Sequence, residues 1–477
     1  MDSKNINNAI TLRSKNFTQW YDDVIKQAKL VHYAKVKGTI IFTPNSTFIW
    51  EQIKKEMDKR FHNYDIKNVM MPTLMQYSSF NLEKKHLEGF APEMFFITKK
   101  SIDGEALTDP LVLRPTSEIL FCYYFKDMLV SYNQLPFKYN QWANVFRVEK
   151  NTRPFLRTSE FYWTEMHSIH STKKEAEEFT LIMNDNYVDF INKFLCIPIL
   201  NGEKTENERF AGANHTFTCE ALMQDGQALQ CATSHYLAQN FTIPYDITFR
   251  NKNNELEHPY QTSCGLSTRI IGAIIMSHSD DLGLVLPWDI AINQIAVCVL
   301  NDEQDIVQYA TNIKTKLEEY RVYLDFSNNS LGFKIKEQQV LGTPITLLIG
   351  KNEVNENKVT LIFRDLNNKQ EMNLNEFISN IHELGQKYNN RLYDKAKNRL
   401  DNSIEICHTL QEVKNAINNK HIALAPWGGN IQDEINFKKQ TSISTRCIKS
   451  TIDEKEDVKC FYTNNKAQYW IYFAKAY

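Results

Sequence analysis

Residues 145–163, VFRVEKNTRPFLRTSEFYW, crowd the cations Arg147, Lys150, Arg153 and Arg157 against the carboxylates Glu149 and Glu160, with Glu165 just beyond. Aromatic side chains interleave with the charges, and Pro154 sits in the middle. Valine and phenylalanine around Arg147 suit one extended run and FYWTEMHSIH suits a second, so a hairpin is expected, its long polar loop holding Asn151 to Pro154. On such a hairpin Arg147 and Arg157 can face one anionic ligand. The alternative is a solvated surface hairpin laced with ion pairs.

Three further constellations bear on that choice. In LRPTSEI, Thr116 and Glu118 alternate, so on an extended segment both point to one face, where a hydroxyl and a carboxylate can receive an ammonium group; a helix N-cap with a capping acid is the other reading. In LQCATSHYLAQNF the polar members are Gln230, Thr233 and His235, and a histidine in such a run is also compatible with a satisfied structural role. In GLSTRIIGAIIMSHSD, Arg269 precedes isoleucines at helical spacing. That places it near the N-terminus of a buried helix, where a cation opposes the dipole unless an anion or a neighbouring acid is present.

The elements that would position these groups can be read from pattern. At 477 residues the chain is too long for one ordinary core, and 55 Lys+Arg against 57 Asp+Glu give a net charge of -2 with no global basic field. Any polyanion must be held by local patches. Nine cysteines without a CxxC pair argue for reduced thiols in a cytoplasmic protein. No apolar run reaches membrane-spanning length, and MDSKNINNAITLRSKNF lacks a signal-peptide core, so no membrane partner is expected.

STFIWEQIKKEMDKRF predicts an amphipathic helix with Ser46 as N-cap, running into NVMMPTLM, a short strand interrupted by Pro72 and so placed at an edge or interface. A second long helix is expected to begin near Thr172. After Pro287 strands alternate with helices, which indicates an α/β module; boundaries are placed at 1–288, 289–395 and 396–477.

Taken in order, helix-strand-proline, T-x-E, R-x-E hairpin, TSH and the glycine-hydroxyl-arginine helix followed by an α/β module resemble the class II aminoacyl-tRNA synthetases. Within them the chain resembles the prolyl-tRNA synthetases of the type shared by archaea, eukaryotes and some bacteria. The likeness runs from FTQWYDDVIKQAKL through EGFAPE and PFLRTSEF to Tyr477. NVMMPTLM is similar to motif 1, the dimerisation element, FRVEKNTRPFLRTSEFYWTEMH to motif 2, and GLSTRIIGAI to motif 3.

The resemblance implies an α+β catalytic domain built on an antiparallel sheet flanked by helices, an α/β anticodon-binding domain and a small α+β C-terminal domain. It implies ATP and Mg2+ as cofactors, L-proline and tRNA(Pro) as substrates, and a homodimer. Arg147 would bind the α-phosphate and the proline carboxylate, Glu149 would face the adenine or amino-acid side, and Phe161 would carry the base. Arg157 and Arg269 would hold the outer phosphates, Arg147 and Arg269 being the catalytic pair. Thr116, Glu118 and His235 would form the proline site, and Gln230, Thr233 and Ser267 would contact the nucleotide. Lys334 and Glu337 match the family's anticodon segment, where its usual Trp-Glu is replaced by Gln338 and Gln339.

Departures from the family pattern are specific. Cys264 stands where the family has tryptophan, and Cys231 and Ala232 where it has glycines. The distance between the second and third motifs leaves no room for the large editing insertion of the other bacterial type. Of the four C-terminal zinc cysteines of many relatives only Cys460 remains, with Gly428, Asp433 and Tyr462 at the other positions, so no structural zinc is expected. Cys407, His408 and Cys447 match no zinc spacing. Two other functions compete with the ligase: a silent paralogue acting as an RNA-binding or regulatory protein, and a class II enzyme for threonine or glycine. Retention of Arg147, Arg157, Arg269, Glu118 and His235 argues against the first, and the T-x-E and TSH elements against the second.

Overall fold

The computed structural model describes residues 10–82 and 94–477; the first nine residues and the EGFAPE stretch lie outside them. An eleven-stranded sheet runs through the molecule. From one edge its catalytic part follows the order Lys67–Asn68, Phe137–Phe146, Glu160–His170, Tyr260–Ser267, Ala228–Ala238, His215–Leu222 and Ile199–Glu203. All these neighbours pair antiparallel except the first two. The segment between motifs 2 and 3 is thus used by sheet strands and the helix Lys173–Asp189.

That helix starts as expected, with the Thr172 side chain accepting from the Glu175 amide. The earlier helix differs. It spans Pro44–His62, so Thr43 is the N-cap and proline occupies the first turn, where its missing N–H is no loss. Ser46 is buried inside it and donates to the Leu30 carbonyl at 2.6 Å. Pro72 falls between two short strands, Lys67–Asn68 and Leu74–Gln76, which join different sheets.

The α/β module has five strands in the order Val322–Asp325, Ile295–Val299, Ile345–Ile349, Lys358–Phe363 and Lys369–Asn373. The first three are parallel and the last two antiparallel. It closes with the helix Leu374–Asp401, whose buried Tyr388, Leu392, Ala396 and Leu400 keep one apolar face in register. The boundary placed at 395 therefore falls inside a continuous helix: the polar, lysine-rich texture belongs to its solvent face. Gly385 lets this helix close on Trp288, since a Cβ there would lie 2.8 Å from the indole. Arg364 adds a bidentate pair to Asp280 at 2.8 and 2.6 Å, tying the module to the catalytic unit.

The C-terminal strands extend the catalytic sheet: Ser444–Thr451 pairs with Ile199–Glu203 through Ile448 and Glu203. Their core is aromatic, with Trp427 stacked on Tyr462 at 5.9 Å and packed against Phe437, Phe461 and Phe473. Asp433 caps its own helix by accepting from the Asn430 amide, and the Tyr462 hydroxyl donates to Gln440. These contacts hold the loops together at the positions of Gly428, Asp433 and Tyr462 without a metal ligand set. We expect chelators to leave the thermal transition unshifted and elemental analysis to give no stoichiometric zinc. A lowered transition in EDTA with zinc released would overturn this.

Candidate active site

The hairpin forms, with Phe137–Phe146 paired to Glu160–His170, but its loop is not wholly polar. Phe155 and Leu156 plunge into the core, and Phe155 takes a left-handed φ of 61° to do so. Arg153 and Arg157 exchange backbone hydrogen bonds at 2.7 and 3.0 Å, closing the turn. The Arg153 guanidinium lies 4.6 Å from the Tyr21 ring and donates to the Thr18 carbonyl, a structural role. Gly272 lets the helix Arg269–His278 approach this loop, because a Cβ there would meet Leu156 at 2.4 Å.

The loop and that helix bring cations together. Arg147, at the end of its strand, donates through Nε to the Pro115 carbonyl at 3.1 Å, and its guanidinium lies 5.3 Å over Phe161 and 5.7 Å over Trp163. Arg269 donates to the Leu156 carbonyl at 3.1 Å. Burial lowers the Arg269 pKa, and the charges of Arg157 and Arg147 lower it further, so three guanidiniums repel one another around one space. Such a cluster favours a polyanion. Arg157 lies at the rim with Glu149 at 3.6 Å.

Opposite them the cavity is carboxylate-lined. LRPTSEI is not extended throughout: Ser117 is the N-cap and Glu118 the first residue of the helix Glu118–Met128 rather than a strand residue. Thr116 and Glu118 still meet, the hydroxyl donating to Glu118 Oε2 at 2.5 Å. Glu165, fully buried, accepts from the Ser117 amide at 2.8 Å, from Gln141 at 3.0 Å and from the Thr116 hydroxyl at 3.1 Å; its Oε1 lies 3.1 Å from His167 Nε2. Burial works to raise the Glu165 pKa, yet its hydrogen bonds and His167 hold it below the usual carboxylate range. Burial and the Glu165 charge push Glu118 up to about 6. Among the described residues, Glu118, Glu165 and His167 bring possible ligand atoms within 4.8 Å of one another, but their oxygens are already engaged by this network.

His235 lines the same cavity, its Nδ1 3.0 Å from the Thr216 hydroxyl and its ring 4.8 Å from Phe210. Burial, then His167 and Lys204, push its pKa down to about 3, so the imidazole is neutral. It shares a face with Thr233 and Gln230 only because of a β-bulge: Cys219 opposes Ala232 while Glu220 opposes Gln230, leaving Cys231 as the extra residue that resets the alternation.

One cavity of about 230 Å³ collects Thr116, Glu118, Arg147, Phe161, Gln230, Thr233, His235, Ser267 and Arg269. Glu149 and Arg157 stay at its rim. Cys231 and Cys264 also line it, and the Tyr187 hydroxyl donates to Cys264 Sγ at 3.4 Å. Sequence reading missed Glu165, Lys204 and Phe210 as lining residues. Alternation from Phe161 through Trp163 to Glu165 carried the signal for the first; the other two lie on an irregular segment with none. In the α/β module Lys334 is buried, donating to the carbonyls of Val299 at 2.9 Å and Asp325 at 3.3 Å, so its ammonium braces the helix Leu331–Leu341 instead of facing outward. Glu337 lies half-buried on the same helix.

Known proteins match this architecture. A family model for the tRNA synthetase class II core domain (G, H, P, S and T) matches residues 100–278, one for an anticodon binding domain residues 294–384, and one for the prolyl-tRNA synthetase C-terminal domain residues 410–477. The chain is 45% identical over 470 residues to a proline–tRNA ligase of Ureaplasma urealyticum, covering 98% of each chain. It is 46% identical over 469 residues to one of Malacoplasma penetrans, covering 98% of this chain and 99% of that one. A crystal structure of prolyl-tRNA synthetase from Cryptosporidium parvum complexed with L-proline and AMP superposes with a TM-score of 0.93 at 31% identity. That match covers 100% of this chain and 99% of the other. The same protein complexed with halofuginone and AMPPNP gives 0.94 at 32% identity, with the same coverage.

Proposed function

The chain belongs to the prolyl-tRNA synthetases of class II, and from that premise we propose that it activates L-proline with ATP and transfers it to the 3′ end of tRNA(Pro). The observation that carries the reading is the division of one cavity into an end lined by Arg147 and Arg269, with the Arg157 charge close by, and an end with buried carboxylates. Adenylation needs both: a carboxylate and a triphosphate must approach although like-charged, while the substrate ammonium needs an anion.

In this reading the ammonium of proline sits against Glu118 and Thr116, with neutral His235 packing beside the ring. Arg147 bridges the proline carboxylate and the α-phosphate, where a planar guanidinium can serve both anions. Phe161 carries the adenine, Gln230, Thr233 and Ser267 contact the nucleotide, and Glu149 faces it from the rim. A carboxylate oxygen attacks the α-phosphorus, the bond to the pyrophosphate oxygen breaks, and Arg157 and Arg269 take up the charge that leaves. The terminal ribose hydroxyl of tRNA then attacks the activated carbonyl and AMP departs. Magnesium is proposed with ATP, where it would neutralise phosphate charge; Glu149, paired with Arg157, is the carboxylate that would hold it.

The α/β module is proposed to read the anticodon around Glu337, with Lys334 fixing that helix. A homodimer is proposed through the motif 1 segment, where Met70 is 97% exposed and Leu74 and Phe96 are also uncovered. A cytoplasmic setting is proposed from nine free, buried cysteines; among the described residues no helix is long and apolar enough to cross a membrane.

Pyrophosphate exchange measured with each of the twenty amino acids is expected to peak with proline, alanine trailing by about 10 to 200-fold because only ring methylenes distinguish it. Exchange with none would favour a silent paralogue, and a peak elsewhere would overturn the assignment.

A further inference from the structure

Three side chains that the roles above leave unused form a buried ion-paired triad where the catalytic sheet meets the C-terminal strands. Glu220 is completely inaccessible. Lys204 Nζ donates to its Oε1 at 3.1 Å, and Arg446 donates to its Oε2 through Nε at 3.1 Å and Nη2 at 2.6 Å. The Thr218 hydroxyl adds a bond to Oε1 at 2.9 Å, and the Lys204 ammonium also reaches the Arg446 carbonyl at 3.5 Å. Buried charges persist only when each is paired and hydrogen-bonded, so removing one member unsettles the others.

Lys204 lines the catalytic cavity, whereas Arg446 lies behind it. Lys204 also opens the segment that carries Phe210 to His235, and the C-terminal module holds this segment at two more points. The Thr205 hydroxyl donates to Glu434 Oε1 at 2.9 Å, an oxygen that also accepts from Thr445, and Lys438 donates to Glu208 at 2.7 Å. At the far end the Phe210 amide donates to the Thr216 hydroxyl at 3.2 Å, the same hydroxyl that meets His235. A run of contacts therefore leads from Arg446 to the wall opposite Glu118.

We propose that Arg446 is a positioning residue for the amino-acid end of the cavity, acting through Glu220 to hold Lys204 and the 204–210 wall against His235. The proposal rests on reading the Thr116, Glu118 and His235 end as the proline site. It gives the C-terminal module a task that needs no metal: it completes the amino-acid pocket from behind. Arg147 and Arg157 come from the hairpin and Arg269 from the motif 3 helix; Glu220, whose charge favours the charged form of Arg269, stays in place when Arg446 is replaced, so the ATP end keeps its main supports.

The test compares Arg446→Met, Arg446→Lys and the milder Thr205→Val in pyrophosphate exchange, with rates normalised to active sites and folding checked by thermal melting. Arg446→Met is expected to raise the proline KM about tenfold with the ATP KM within about twofold. Arg446→Lys should recover most of that loss, and Thr205→Val should raise the proline KM about threefold. A folded Arg446→Met with unchanged proline KM, equal rises in both KM values, or a loss confined to the active fraction would overturn the proposal. If Arg446→Met does not fold, Thr205→Val decides. Glu118→Gln run alongside separates the two ideas: if it too leaves the proline KM unchanged, the assignment of the pocket end has failed, not the clamp alone.

Discussion

Arg147→Ala is expected to lower kcat/KM for pyrophosphate exchange by at least a hundredfold while leaving the melting temperature within a few degrees. Its guanidinium is held by the Pro115 carbonyl and the faces of Phe161 and Trp163, so it is oriented before any ligand arrives. A preorganised donor aimed at charge developing in the transition state contributes on the order of 3 kcal/mol, about a hundredfold in rate. Removing it also relieves repulsion on Arg269, whose pKa its charge helps to depress, so the fold should tolerate the change or gain slightly. Arg153→Ala is the control: Arg153 sits in the same loop but braces Tyr21 and Thr18, so its loss should lower stability and change the exchange rate little. Exchange within tenfold of wild type for Arg147→Ala would remove this arginine from the chemistry.

These arginines were legible in the sequence because each is a charge in an awkward place. Arg269 heads a helix of isoleucines, and Arg147 follows Val145 and Phe146 at the end of its strand; both positions make sense once an anion is supplied. Strand and helix periodicity likewise exposed the hairpin, the Thr172 cap and the α/β module. Where the reading went astray, a local signal competed with a better one. Ser46 was a sound cap candidate, but Thr43-Pro44 is a stronger start because proline needs no donor at that point. The boundary at 395 followed solvent-face lysines, whereas Leu392, Ala396 and Leu400 on the buried face carry the helix onward. Other features lay beyond any single stretch. Gln230 joins Thr233 and His235 through a bulge that strict alternation denies, and Glu220 meets Arg446 across 226 positions of chain.

Glu118→Gln is expected to raise the proline KM by about ten to a hundredfold with the ATP KM nearly unchanged, since a charge-assisted contact to an ammonium contributes ~1.5 to 3 kcal/mol. The same residue should impose a pH dependence on the wild-type enzyme. Burial and Glu165 raise its pKa to about 6 in the free protein, and an ammonium ligand binds the ionised form. Below that pH the neutral acid dominates, so the proline KM should climb about tenfold per unit as pH falls, and should level off above about 7. Glu165 is held below the usual range and His235 is pushed to about 3, so neither is expected to titrate in this window. The glutamine variant keeps the Thr116 contact and the helix start but cannot ionise; its proline KM should be high and flat with pH. A variant that kept the wild-type slope would move the titrating group elsewhere in the network. An equal loss of ATP affinity would instead make Glu118 a structural member of the Thr116–Glu165 cluster, leaving the ammonium to another anion.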